Sequence, residues 1–82
     1  MRILPLHPKL VEYLKKRNLT AKFNKQARFF EENIYHPSLN VELMEPRALR
    51  IFSFRIDRKY RAIFIFDSPD TVDIADINNH YK

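Results

Sequence analysis

Apolar residues follow two different periods along this chain. Phe23, Ala27, Phe30 and Ile34 recur at i, i+4, i+7 and i+11, the stripe of a helix buried on one face. Leu10, Val11 and Leu14, with Tyr13 alongside, carry helical spacing earlier in the chain. Pro8 suits the first turn of that helix. Lys15, Lys16 and Arg17 favour its C-terminal dipole, and Asn18 is placed to end it. Thr20 is a good N-cap for the second helix. His36-Pro37-Ser38 should stop it, because the residue before proline avoids the α region. A link of only two or three residues between the helices predicts an antiparallel hairpin.

Beyond residue 50 the pattern turns to strands. Residues 51–56, 60–66 and 71–78 are strongly β-forming, and Pro69 marks the second turn. Residues 2–6 predict a short edge strand, and residues 40–50 an irregular strand or loop bearing Glu42 and Glu45. No repeat, linker or low-complexity segment interrupts the chain. The expected architecture is one α+β domain, residues 1–82, with an N-terminal edge strand and a helical hairpin packed on a small antiparallel sheet.

Register decides which side chains meet. A three-residue loop at Asp57-Arg58-Lys59 puts Arg55 opposite Arg61, with Phe54 opposite Ala62 and Phe52 opposite Phe64 on the other face. A four-residue loop at residues 67–70 then puts Arg61 opposite Asp76 and Ile63 opposite Ile74. In that register Arg55, Arg61, Asp76, Asn78 and His80 share one face, and a slip of one residue would scatter them. Like charges directly opposite destabilise a sheet, so the Arg55–Arg61 pair calls for Asp76 or a bound polyanion.

Charge sharpens this picture. Fifteen Lys and Arg against ten Asp and Glu give a net charge of +5. Residues 1–40 hold eight basic and three acidic residues, while residues 41–82 hold seven of each. A small basic domain points to an acidic partner, nucleic acid or an acidic peptide, or else to a solvated basic face. No cysteine is present, so disulfides and thiolate metal sites are excluded. Glycine is also absent, so tight turns fall to Asn, Asp, Pro and Ser. No apolar run reaches the length of a membrane span, and residues 1–6 do not form a signal peptide. A cytoplasmic protein without membrane contact is expected.

The order HPSL at 36–39, SFRI at 53–56, YRAIF at 60–64 and INNHY at 77–81 resembles the RelE/ParE superfamily of bacterial type II toxin–antitoxin toxins. The resemblance covers essentially the whole chain and is greatest for the YoeB-like branch, which also ends in a His-Tyr pair after an arginine-bearing strand. It implies a metal-free, cofactor-free mRNA endonuclease that works in the ribosomal A site and leaves a 2′,3′-cyclic phosphate. Such chemistry needs a base for the 2′-hydroxyl, a cation at phosphorus and an acid for the leaving 5′-oxygen.

The resemblance assigns roles residue by residue. Arg61 matches the phosphate-stabilising arginine; a salt bridge to Asp76 is its structural alternative. His80 matches the general acid, and Tyr81 the tyrosine that stacks on a base, orients the leaving group or plugs the sheet edge. The family's glutamate falls on Glu42 when aligned without gaps, with Glu45, in a Glu-Pro step, as the competing base. Arg55, Arg58 and Lys59 are expected to bind RNA phosphate. Lys15, Lys16, Arg17, Lys22, Lys25 and Arg28 offer contacts to ribosomal RNA. Phe52 and Phe54 depart from the family pattern. The implied partners are a cognate antitoxin, in a toxin–antitoxin hetero-oligomer, and the ribosome with its mRNA. A ParE-like inhibitor of DNA gyrase, or an inactive relative that only binds its antitoxin, is the alternative.

Overall fold

Pro8 opens α1 (Pro8–Lys16), and the His7 Nδ1 caps it by accepting the Lys9 N–H at 3.1 Å. Asn18 ends it in the left-handed region at φ 55°, which lets the Leu19 N–H reach back to the Leu14 carbonyl at 2.8 Å. Asparagine thus does in this glycine-free chain what glycine does elsewhere. The computed structural model describes residues 1–79. Leu19, not Thr20, is the N-cap of α2 (Thr20–Glu32), and no side chain caps that end. The tight closure of α1 carries the chain into the second helix one residue early.

The stop of α2 also differs from expectation. Asn33 ends it, its side-chain oxygen accepting the Tyr35 N–H at 3.0 Å, a local bond that competes with the helix. Ile34 lies past the helix yet packs on the core. His36-Pro37-Ser38 opens a 3-10 turn over Pro37–Leu39 instead.

Among the described residues a five-stranded sheet runs in the order β1-β5-β4-β3-β2. Its strands are β1 (Arg2–Ile3), β2 (Glu42–Leu43), β3 (Phe52–Arg55), β4 (Arg61–Ser68) and β5 (Thr71–Asn78). Strands β2 to β5 are antiparallel; β1 joins the edge parallel to β5, so the whole sheet is mixed. The helical hairpin covers one face. Phe30, Phe54, Phe64, Leu39, Val72 and Ile77 are fully enclosed between helices and sheet.

The β3–β4 register places Arg55 opposite Arg61, Phe54 opposite Ala62 and Phe52 opposite Phe64, as the pattern predicts. The β4–β5 register differs from expectation, by one residue from Phe64 to Phe66 and by two at the Arg61 end. Arg61 faces Asn78 and Ile63 faces Asp76. The turn is tighter than a four-residue loop, and irregularities interrupt the ladder between Ile63 and Phe64 and between Phe66 and Ser68. The pairing leaves Asp67 on β4 and Ala75 on β5 as the extra residues, one on each strand, so the offsets cancel. The bulge at Ala75 lets Ile74 and Ile77, three apart, both face the core. A shift of two preserves parity, so Arg61, Asp76 and Asn78 still share the outer face.

Gln26 is a polar residue buried on the helix side of the sheet, only 6% exposed. Its Nε2 donates to the Arg55 carbonyl at 2.7 Å and the Ser38 carbonyl at 3.0 Å, and its Oε1 accepts from Ser38 Oγ at 3.2 Å. One amide thereby ties α2 to the end of β3 and to the 3-10 turn. Gln26→Leu should cost about 2–3 kcal/mol in urea denaturation, because two carbonyls lose their donor. A midpoint unchanged from wild type would show that water or a rearranged backbone satisfies them.

Asp57 organises the β3–β4 loop. Its Oδ1 accepts the N–H groups of Lys59 and Tyr60, both at 2.8 Å, and its Oδ2 meets Lys22 Nζ at 3.3 Å. Partial burial pushes this carboxyl upward, but the two backbone N–H bonds and Lys22 outweigh it and hold the pKa below the usual range. A depressed pKa stabilises the fold above the unfolded value and loses that contribution as pH falls through the folded value. Asp57→Ala should therefore destabilise by about 1–2 kcal/mol at pH 7. The gap between the two proteins should narrow as pH falls through and below the ordinary carboxylate range. A gap that persists in acid would assign the effect to turn geometry and not to the charge.

Candidate functional site

The outer face of the sheet carries a small residue where space is needed. Ser53 lies between Phe52 and Phe54 on β3, opposite Glu42 on β2 and Ile63 on β4. Its short side chain leaves room for the Arg61 guanidinium, which is only 2% exposed. Arg61 Nε donates to Ser53 Oγ at 2.9 Å, and Nη2 donates to the Asn40 carbonyl at 2.6 Å and the Ser53 carbonyl at 3.4 Å. Asn40 stands in the left-handed region at φ 44°, which turns the chain before β2. Its side chain donates to Glu42 Oε2 at 3.2 Å. Arg61 thus crosses from β4 over β3 to the segment leading into β2.

The segment between β2 and β3 folds back over this face. The Met44 N–H donates to the Ile51 carbonyl at 2.7 Å and closes the loop, which contains a 3-10 turn over Arg47–Leu49. The result is a cleft of about 300 Å³. Glu45, Ser53, Arg61, Asp76 and Asn78 supply its polar wall, and Met44, Ile51 and Ile63 its apolar wall. Asp76 is oriented by a 2.9 Å bond from Asn78 Nδ2. A fixed cation, carboxylates and an apolar wall in one cleft suit an anionic substrate whose charge rises during reaction.

Each residue singled out in the sequence has a place. Arg61 and Glu45 line the cleft together. Glu42 borders it on the same sheet face, opposite Ser53. Arg55 is exposed and lines a neighbouring cleft with Arg58. Lys59 is exposed in the hairpin loop. His80 and Tyr81 lie outside the described residues; Asn78, which lines the cleft, precedes His80 by two positions. Ser53 was visible only as part of a motif, and Gln26 and the Asn40 carbonyl not at all. For Gln26 the one sequence signal was a polar residue three positions from Phe23, on the buried side of the stripe.

Among the described residues no group of three or more His, Asp or Glu side chains is placed to hold a metal. No described helix is long and apolar enough to cross a membrane.

No family model and no curated protein matches the chain. Solved structures do. The chain is similar to a YoeB/ParE toxin from Agrobacterium tumefaciens, with a TM-score of 0.71 and 15% identity over 99% of this chain and 100% of that one. It is similar to the heterotetrameric YoeB–YefM toxin–antitoxin complex from Staphylococcus aureus, with a TM-score of 0.68 and 18% identity over 98% of this chain and 94% of that one. A further YoeB–YefM complex from Staphylococcus aureus gives a TM-score of 0.69 at 18% identity. The fold is that of the YoeB/ParE toxins, over essentially the whole length.

Proposed function

We propose that this chain is the toxin of a toxin–antitoxin pair and cleaves mRNA on the ribosome. The carrying observation is the cleft that holds a buried, oriented arginine beside a glutamate. In the proposed reaction the ribose 2′-oxygen attacks the adjacent phosphorus and the bond to the 5′-oxygen breaks. The products are a 2′,3′-cyclic phosphate and a free 5′-hydroxyl. Glu45 takes the 2′-hydroxyl proton; its place beside Arg61 in the cleft favours it over Glu42. Arg61 stabilises the charge that develops on phosphorus. His80 gives the proton to the leaving oxygen and Tyr81 orients it, roles carried by the sequence resemblance.

A cognate antitoxin is the proposed partner, in a hetero-oligomer, and the cytoplasm the proposed compartment. The fold shared with a toxin solved together with its antitoxin supports this. One observation favours a second reading, a fold-retaining relative that only binds its antitoxin: Arg61 is engaged by Ser53 and by the Asn40 carbonyl within the fold.

Induced expression in bacteria with primer extension on an abundant message separates the readings. Cuts at in-frame codon positions, on translated message only, are expected. Growth arrest with DNA-damage signalling and no cuts would move the assignment to gyrase. Absence of arrest would leave the antitoxin-binding relative.

A further inference from the structure

A cleft of about 340 Å³ opens past the end of α2, where the helical hairpin stops short of the sheet. Burial along the core face of β4 marks the limit of that cover. Phe64 is fully enclosed, and Phe66, two positions on, is 39% exposed. Asn33 ends the helix and accepts the Tyr35 N–H, which turns the chain away and leaves Tyr35 87% exposed. Ile34, Tyr35, Val41, Phe52 and Phe66 form the apolar wall, and Arg50 is the charged residue of the lining. The Arg50 guanidinium carbon lies over the Phe52 ring, 5.3 Å from its centre. Among the described residues no carboxylate pairs with Arg50.

Tyrosine, phenylalanine and arginine are the side chains that protein interfaces concentrate, and exposed apolar surface rimmed by polar groups marks such interfaces. One cation among five apolar side chains is too little charge for a phosphate chain, which draws on several. It suits a single carboxylate set beside an apolar side chain. A second copy of this chain docked patch to patch would bring two Arg50 side chains together, which like charge opposes. Arg50 also belongs to the segment that folds over the first cleft. Its N–H meets the Arg47 carbonyl at 3.1 Å, and Ile51, the next residue, lines that cleft. An occupant at Arg50 therefore grips the segment from outside, without entering the cleft at Arg61.

We propose that the Tyr35–Arg50–Phe66 cleft docks a segment of another protein, which seats an aliphatic or aromatic side chain against Tyr35 and Phe66 and a carboxylate on Arg50. The Arg50 fork, held over the Phe52 face, is preorganised for that carboxylate. The site lies apart from the proposed chemistry and does not depend on the nuclease reading.

The test is fluorescence anisotropy with a short labelled peptide of Leu, Ala and Glu. Arg50→Gln removes the cation and Tyr35→Ser the exposed ring. Arg47→Gln removes the same charge from the same loop but outside the cleft. All three side chains are exposed, so the fold should survive each change. Arg50→Gln should weaken binding roughly tenfold, the loss of one hydrogen-bonded charge pair. Gln for Glu in the peptide should cost wild type the same and cost Arg50→Gln little more, the signature of one coupled pair. Tyr35→Ser should weaken binding several-fold, and Arg47→Gln should change little. Equal losses in Arg47→Gln and Arg50→Gln would reduce the attraction to net charge and overturn the site. A peptide of Ala and Glu that binds as well as the one with Leu would overturn its apolar half. A 2′-O-methyl RNA oligonucleotide that needs Arg50 and Tyr35, where the peptide does not, would replace protein by nucleic acid. Dimerisation in ultracentrifugation that Tyr35→Ser abolishes would put a second copy in the cleft instead. A wild-type protein that binds no peptide would sink the proposal.

Discussion

On the proposed nuclease reading, Arg61→Ala is expected to abolish mRNA cleavage, and on any reading to lower stability by about 3 kcal/mol or more. Both effects follow from one side chain. The guanidinium is almost completely enclosed and supplies donors to Ser53 Oγ and to the Asn40 and Ser53 carbonyls. Truncation takes the guanidinium donors from those acceptors and opens a void from β4 over β3 to the segment before β2. Lost toxicity in Arg61→Ala alone therefore proves nothing about chemistry. Arg61→Lys is the informative partner. It keeps a cation and most of the volume but loses the planar fork. Its stability loss should be smaller, about 1–2 kcal/mol by urea denaturation. Its cleavage should still fall by about 10²–10³, the usual effect of removing one oriented donor from developing charge. A folded Arg61→Lys protein that cuts at the wild-type rate would confine Arg61 to architecture.

The two hairpins show why part of this site was legible in the sequence and part was not. For β3–β4, Phe52, Phe54, Ala62 and Phe64 alternate without interruption on both strands, so a single register turns all of them to the core face, with Phe52 partly covered and the other three buried. That register fixes the Arg55–Arg61 pair. For β4–β5 the apolar residues Ile74 and Ile77 break the alternation, which demands a bulge whose position the pattern does not specify. Sequence reasoning absorbed the misfit into the turn and set Arg61 against Asp76 instead of Asn78. The face survived because the error was even. The cleft itself was not legible. Its roof is the segment from Met44 to Ile51, which has little periodicity and is closed by the Met44–Ile51 backbone bond, a 3-10 turn and a left-handed Arg50 at φ 55°. That is also why Glu42 and Glu45 could not be ranked from the sequence; only the fold-back of this segment brings Glu45 into the cleft that Arg61 lines.

The largest stability effect should come from a residue far from any proposed chemistry. Phe30 is 0% exposed, and its ring lies 5.1 Å from those of both Phe54 and Phe64. Those two rings are 5.9 Å apart, so the three form one contact unit joining α2 to the central strands. Phe30→Ala removes most of the helix's share of that unit and should cost about 3–5 kcal/mol, burial plus cavity. A domain of this size has on the order of 5 kcal/mol in total, so the variant should be largely unfolded at growth temperature. Phe66→Ala is the control. Phe66 touches Phe52 and Phe64 but is 39% exposed, and its loss should cost about 1 kcal/mol. The two variants differ in consequence for function as well. Phe30 lies on the helix that carries Lys22, Lys25 and Gln26, and Gln26 holds the end of β3 where Arg55 sits opposite Arg61. Loosening Phe30 therefore releases the cleft at Arg61 and the one at Arg55 at once, although it touches neither. Circular dichroism and urea midpoints measure the first part of this. Antitoxin or ligand that restores the fold of Phe30→Ala by mass action would show that α2 is docked in the bound state. A Phe30→Ala protein as stable as Phe66→Ala would mean that the helix is held by something other than this aromatic unit.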